Sequence, residues 1–95
     1  MLKVDLIEGN GLIVRFPARS WEIANRVAEA LKETPPRGYR MVESTVKPRG
    51  MHKSGRRCNA KITFIYIDDR VPPLTTGGAK ALLEPVLERA MGVEE

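Results

Sequence analysis

The chain has 95 residues, 42% of them hydrophobic and 29% charged, which predicts a single small globular domain over 1–95 and excludes a fully disordered chain. No apolar run is long enough to cross a membrane, and the first residues lack the basic and apolar regions of a signal peptide. One cysteine, Cys58, excludes an internal disulfide and a multi-cysteine zinc site. We therefore expect a cytoplasmic domain with no membrane partner and no cofactor or bound metal.

The first predicted unit is a β-hairpin. Apolar and polar residues alternate over 2–8 and again over 12–16. Between them, Gly9-Asn10-Gly11 supplies residues that tolerate the positive φ of a tight turn. Pro17 follows and is expected to end the second strand.

A helix is predicted next. Ser20 can cap it, and Thr34-Pro35-Pro36 ends it because proline supplies no N–H and disfavours helix before it. Trp21, at its start, is either a core residue or an anchor for a partner, and core packing is favoured. The apolar positions at helical spacing are Ile23, Ala24, Val27, Ala28 and Leu31.

Two strands and a long connection follow. Residues 39–46 predict one strand, and residues 60–67 give the strongest strand pattern of the chain. Apolar residues occupy both faces of 60–67, which indicates a central strand. Residues 47–59 contain glycine and proline without apolar periodicity, so we predict an exposed basic loop there.

The last predicted element is a helix capped by Thr75 or Thr76 and ended by Gly92. Pro85 falls inside it and should kink the helix or divide it into two. Its predicted apolar side comprises Ala79, Leu82, Leu83, Val86, Leu87, Ala90 and Met91.

The element order is ββαββα, which predicts an α+β fold: a two-layer sandwich with a four-stranded sheet and two helices on one face. If the first strand pairs beside the second, the order is a circular permutation of the ferredoxin-like βαββαβ arrangement. The strands at 12–16 and 60–67 would then form the central pair.

Charge is the strongest functional signal. The net charge is +4, but residues 37–61 contain eight basic residues and one acidic residue, so the rest of the chain is acidic overall. Such a block repels itself unless an anionic partner neutralises it. Arginine and lysine in a flexible loop suit phosphate contacts.

These observations predict a nucleic-acid-binding domain, for DNA or RNA, that contacts phosphates through the loop with little sequence specificity and is not an enzyme. A solvated loop without a partner, an acidic protein and an anionic lipid surface are the alternatives for the same charges. The candidate contact residues are Lys47, Arg49, His52, Lys53, Arg56, Arg57 and Lys61.

The aromatic residues of the 60–67 strand allow two interpretations. On an open sheet face, Phe64 and Tyr66, with Phe16 as a neighbour, would stack on bases. Under two helices they would be core, and this interpretation is favoured because the helices need an apolar face to cover.

Two further functions are considered. Apolar residues on both faces of the 60–67 strand would suit a protein-interaction or homo-oligomeric assembly subunit. Asp68 and Asp69, with Glu8, could hold Mg²⁺ in a small metal-dependent nuclease, although an Asp-Asp turn is the ordinary interpretation of that pair. Cys58 is expected to be buried at the base of the loop.

Overall fold

The computed structural model describes residues 2–48 and 57–92. Their order is β1 (Lys3–Ile7), a 3₁₀ turn (Glu8–Asn10), β2 (Gly11–Ala18), α1 (Trp21–Glu33), β3 (Tyr39–Pro48), β4 (Cys58–Tyr66) and α2 (Thr76–Gly92). The predicted ββαββα order is confirmed.

The four strands form one antiparallel sheet in the order β1-β2-β4-β3. This is the order of the permuted ferredoxin-like sheet, and β2 and β4 are its central pair, as predicted. Both helices pack on one face, so the architecture is a two-layer α+β sandwich.

Apolar side chains at alternate strand positions build the core between the sheet and the helices. Leu12 and Val14 from β2 and Ile62 and Phe64 from β4 are completely buried. Helix α1 contributes the five positions predicted from helical spacing. Within the described residues, no polar or charged residue is buried in this layer.

Local capping and turn chemistry fix the ends of the elements. Gly9 and Asn10 have φ of 69° and 63°, the left-handed conformation expected for the hairpin turn. The Ile23 N–H donates to the Ser20 hydroxyl oxygen at 3.2 Å. The Gly78 N–H donates to Thr75 Oγ1 at 2.9 Å, so the threonine-glycine segment acts as an ordinary helix cap.

The predicted end of β2 at Pro17 is wrong, and of the two outcomes predicted at Pro85, the division of α2 does not occur. Strand β2 continues through Pro17, which pairs with Asn59; β1 pairs with β2 only as far as Arg15, so proline occupies an edge-like position there. Helix α2 continues through Pro85 without division. The Ala81 carbonyl has no helical donor, because proline at position 85 has no N–H. Pro85 and Ala81 are both exposed, so water can satisfy that carbonyl.

Two expected core residues lie at the surface. Trp21 is 60% exposed at the first position of α1, because Ile23 and Ala24 take the inward-facing positions. Leu82 is 48% exposed, because Ala79 and Leu83 already fill the inward side of that turn of α2.

The connection from β4 to α2 is tied to the sheet by two tyrosines. The Tyr66 hydroxyl donates to the Val71 carbonyl, and the Leu74 N–H donates to the Tyr39 hydroxyl at 2.8 Å. The two rings lie 5.3 Å apart between centroids. Burial raises the pKa of Tyr66, and the nearby Asp69 carboxylate raises it further. None of the described helices is both long and apolar enough to cross a membrane.

Candidate nucleic-acid interface

The sheet face opposite the helices, called here the open face, carries the site. Because strand side chains alternate between faces, each strand gives its buried positions to the core and the intervening positions to the open face. No described helix covers those intervening positions. Cross-strand register therefore decides which of these side chains lie next to one another on the open face.

Three cations lie in line across three neighbouring strands. Lys3 pairs with Arg15, and Arg15 pairs with Lys61, which pairs in turn with Thr45 on β3. We call Lys3, Arg15 and Lys61 the cation row. Neighbouring strands are about 4.8 Å apart, so the row spans roughly 10 Å of the sheet.

A shallow groove of about 750 Å³ follows the cation row. All three row residues line it, and Lys47 joins them from β3, where it pairs with Asn59. The groove therefore gathers four cations from all four strands, on backbone that the sheet holds in place.

Carboxylates neutralise only part of this charge. Arg15 forms an ion pair with Asp5, with 2.6 Å between Nη1 and Oδ2, and both side chains are about half exposed. Glu43 lines the groove from β3. Among the described residues no carboxylate forms an ion pair with Lys3, Lys47 or Lys61.

Like charges that are directly opposed on neighbouring strands destabilise a sheet. Lys3 opposes Arg15 and Lys61 opposes Arg15 from the other side, so the cation row weakens the fold that carries it. An anion seated on the row would relieve this repulsion.

The predicted contact residues divide between the open face and the connection from β3 to β4. Lys47 and Lys61 come together in the groove. Arg57 is exposed and lines a smaller groove that also includes Pro17 and Arg19. The remaining predicted contacts lie outside the described residues: Arg49, His52, Lys53 and Arg56.

The bounds of the predicted basic loop change in the structure. Residues 47, 48, 58 and 59 belong to β3 and β4, with Pro48 paired with Cys58, so a connection of 49–57 joins these two strands. Residues 49–56 themselves are outside the described part of the chain. The end of β3 and the start of β4 lie beside Lys47 and Pro17, at the end of the sheet that carries the groove.

Two residues of the site, Lys3 and Arg15, were not predicted. Each belongs to a short alternating strand in the acidic part of the sequence, where a single cation gives no local signal. The hairpin turn could have placed them opposite each other, since register follows from the turn. Their alignment with Lys61 depends on the pairing of β2 with β4, in which the paired residues Arg15 and Lys61 are 46 residues apart in sequence.

The structure separates the aromatic residues from the open face. Phe16 and Phe64 are 2% and 0% exposed under the helices, which confirms the core interpretation. Tyr66 is half-buried and packs against the core. Stacking of bases on Phe64 and Phe16 is therefore excluded.

The acidic turn after β4 forms no metal site in the described residues. The Asp68 carboxylate accepts hydrogen bonds from the Arg70 guanidinium, at 3.0 and 3.3 Å, and from the Arg70 backbone N–H at 3.0 Å. These bonds lower the pKa of Asp68. The described ranges 2–48 and 57–92 hold no group of three His, Cys, Asp or Glu residues arranged for a metal ion. Cys58 is 2% exposed, as expected for a buried thiol.

Comparisons with protein-family models, with curated proteins and with solved structures gave no match to this chain. The charge, register and exposure of the open face are therefore the features that bear on its function.

Proposed function

We propose that this protein binds nucleic acid by seating the phosphate backbone on the open face of its sheet, largely without sequence specificity. The observation that carries this proposal is the alignment of Lys3, Arg15 and Lys61 across three strands on a face that no described helix covers. Lysine and arginine neutralise phosphates and release bound counterions, which drives association.

The groove suits an extended polyanion more than a small anion. Its four cations are spread over four strands instead of converging on one point. A chain of phosphates can contact several of them in sequence. Phosphate contacts position a strand and carry no base information, so we expect little discrimination between sequences.

The connection between β3 and β4 extends this surface in the proposal. It leaves the sheet next to Lys47 and returns at Cys58, and it carries Arg49, His52, Lys53, Arg56 and Arg57. In this proposal these side chains add phosphate contacts to those of the groove.

A charge-matched pair of variants tests the proposal. In fluorescence anisotropy with a labelled oligonucleotide, Lys47→Ala/Lys61→Ala removes two groove cations, and Lys32→Ala/Arg89→Ala removes two exposed cations from the helices. Each lost phosphate contact should cost about five- to eightfold at 0.1 M salt, so the groove variant should bind about 25- to 60-fold more weakly. The helix variant should stay within about threefold of the wild type.

Salt dependence provides the second readout. The slope of log affinity against log salt should fall by about 1.4 to 1.8 in the groove variant, because two counterion-releasing contacts are gone. Equal losses in the groove and helix variants would show that only net charge matters. No binding by the wild type at low salt would refute the proposal outright.

An assembly role remains the second candidate, and Trp21 favours it. Its side chain is 60% exposed at the start of α1, on a residue type that often anchors protein interfaces. Sedimentation equilibrium across a concentration series tests this role, with Trp21→Ala as the variant. A monomer at every concentration would remove self-assembly as a function.

A further inference from the structure

The open face carries three isoleucines beside the cation row. Ile7, Ile13 and Ile65 lie on β1, β2 and β4 and are each half-buried, with the exposed Asp5 paired with Ile13 and the exposed Arg40 paired with Ile65. Ile7 extends across Gly11: a Cβ at Gly11 would come within 2.8 Å of Ile7 Cγ1. We call these three residues the isoleucine half.

The isoleucine half continues directly from the cation row along the strands. Ile13 is two residues from Arg15 on β2, and Ile65 is four residues from Lys61 on β4, with Thr63 between them. Alternate residues on a strand are about 6.8 Å apart, so the apolar surface begins roughly 7 Å from the cations. A ligand that contacts both the cation row and the isoleucines gains from negative charge along one side and apolar surface along the other.

Single-stranded nucleic acid has this composition. Its phosphates form a charged edge, and its unpaired bases expose flat apolar faces that contact apolar side chains without sequence preference. In a duplex the base faces are stacked inside the helix and only the phosphates could use this surface. The isoleucine half therefore favours single strands over duplexes.

A second copy of the chain fits this surface poorly. Face-to-face packing would bring another set of groove cations, Lys3, Arg15, Lys47 and Lys61, to a surface that already repels itself. A strand of phosphates neutralises the same charges.

We propose that the ligand of the open face is a single-stranded nucleic acid whose phosphates lie on the cation row and whose bases rest on Ile13 and Ile65. This inference rests on the proposed function and adds the class of nucleic acid. The described open-face positions carry no aromatic residue, so the base contacts are aliphatic.

The test compares three probes at one salt concentration: an oligodeoxythymidylate, a duplex of the same length and inorganic polyphosphate. Ile13→Thr/Ile65→Thr keeps β-branched side chains in the strands but removes apolar surface. We expect it to weaken binding of the single strand by about tenfold, leave duplex and polyphosphate binding unchanged, and leave the salt slope unchanged. Leu82→Gln, which removes an exposed apolar side chain from α2, is the control and should change none of them.

A variant that is expected to bind more tightly separates a loss of base contacts from a loss of folding. Ile13→Tyr places an aromatic ring beside Arg15 and should strengthen single-strand binding by up to about tenfold, since a stacked base contributes more on an aromatic ring than on an aliphatic one. Thermal melts followed by circular dichroism confirm that each variant is folded.

The possible failures are distinguishable. Wild-type single-strand affinity in the Ile13→Thr/Ile65→Thr variant, or equal affinity of the wild type for single strand and duplex, overturns this inference. If Lys47→Ala/Lys61→Ala still weakens binding in that case, the proposed function stands. Loss of binding to all three probes in the isoleucine variant also contradicts the inference, because a base contact cannot affect polyphosphate.

Discussion

The two faces of the sheet are made by alternate residues of the same strands, yet among the described residues only one of them carries charged side chains. On the helix-covered face, Phe64 and Ile62 are completely buried in an apolar core. On the open face, Lys61 and Thr63 flank Ile62 along β4, and Lys61 lines a groove that no described helix covers. Alternation thus lets adjacent residues serve different purposes: one set stabilises the fold, and the other set is available for a ligand at some cost in stability.

The sharpest contrast is between two consecutive residues of β4. Phe64→Ala should lower the free energy of unfolding by about 3–5 kcal/mol, because it leaves a large cavity in the core. Ile65→Ala, on the open face, should lower it by about 1 kcal/mol through reduced β propensity and packing. Urea denaturation measures both, and similar losses would contradict the assignment of the two faces.

Packing within the isoleucine half is tested at Gly11. A Cβ there would lie 2.8 Å from Ile7 Cγ1 and 3.0 Å from the Phe64 carbonyl oxygen, so Gly11→Ala should destabilise the protein by about 1–2 kcal/mol. Gly77→Ala is the matched control in α2, where a Cβ would meet nothing within 4 Å. It should be neutral or stabilising by up to about 1 kcal/mol. A tolerated Gly11→Ala would show that Ile7 does not pack as described.

The cation row predicts that stability and binding change in opposite directions. Lys61→Ala relieves its repulsion with Arg15, so it should raise the free energy of unfolding by about 0.5 kcal/mol at low salt while weakening oligonucleotide binding. High salt should abolish the gain in stability because it screens exposed charges. Lys32→Ala on α1 should show neither effect. A destabilised Lys61→Ala protein would mean that repulsion on the open face is already compensated.

The smallest expected effect is an acid-stability change at Asp68, away from both faces. Hydrogen bonds from Arg70 lower its pKa below the ordinary value of 3.8. The ionised carboxylate therefore stabilises the fold above pH 3.8, and this contribution is lost as the pH falls through the lower folded-state pKa. Asp68→Asn should reduce the change in the free energy of unfolding with pH in that range, and Asp69→Asn is the control. An unchanged curve would exclude a role for the Arg70 contact.

Local sequence signals predicted most of the fold. Alternation located the strands, Gly9-Asn10-Gly11 located the hairpin turn, and apolar spacing identified the core face of α1. The error at Pro17 has a tertiary cause, because β1 pairs with β2 only as far as Arg15 and the missing N–H therefore faces no partner strand. At Pro85 the helix continues although the Ala81 carbonyl loses its donor, because that carbonyl lies on an exposed part of α2.

The candidate site was only half predictable, for a similar reason. Lys47 and Lys61 stood out because they belong to a basic stretch of sequence, whereas Lys3 and Arg15 are isolated cations in the part of the chain that is acidic overall. Cross-strand register brings these four together, and register between distant strands is not a local property of the sequence.

Mapping the bound strand on the protein tests the central claim most directly. In an NMR titration of isotopically labelled protein with an oligodeoxythymidylate, the largest amide shifts should fall on β2 and β4 around Arg15, Lys61 and Thr63. Helix α1 around Glu29 and Lys32 should be unaffected. Shifts confined to the helices, or no shifts at low salt, would contradict the assignment of the open face as the binding surface.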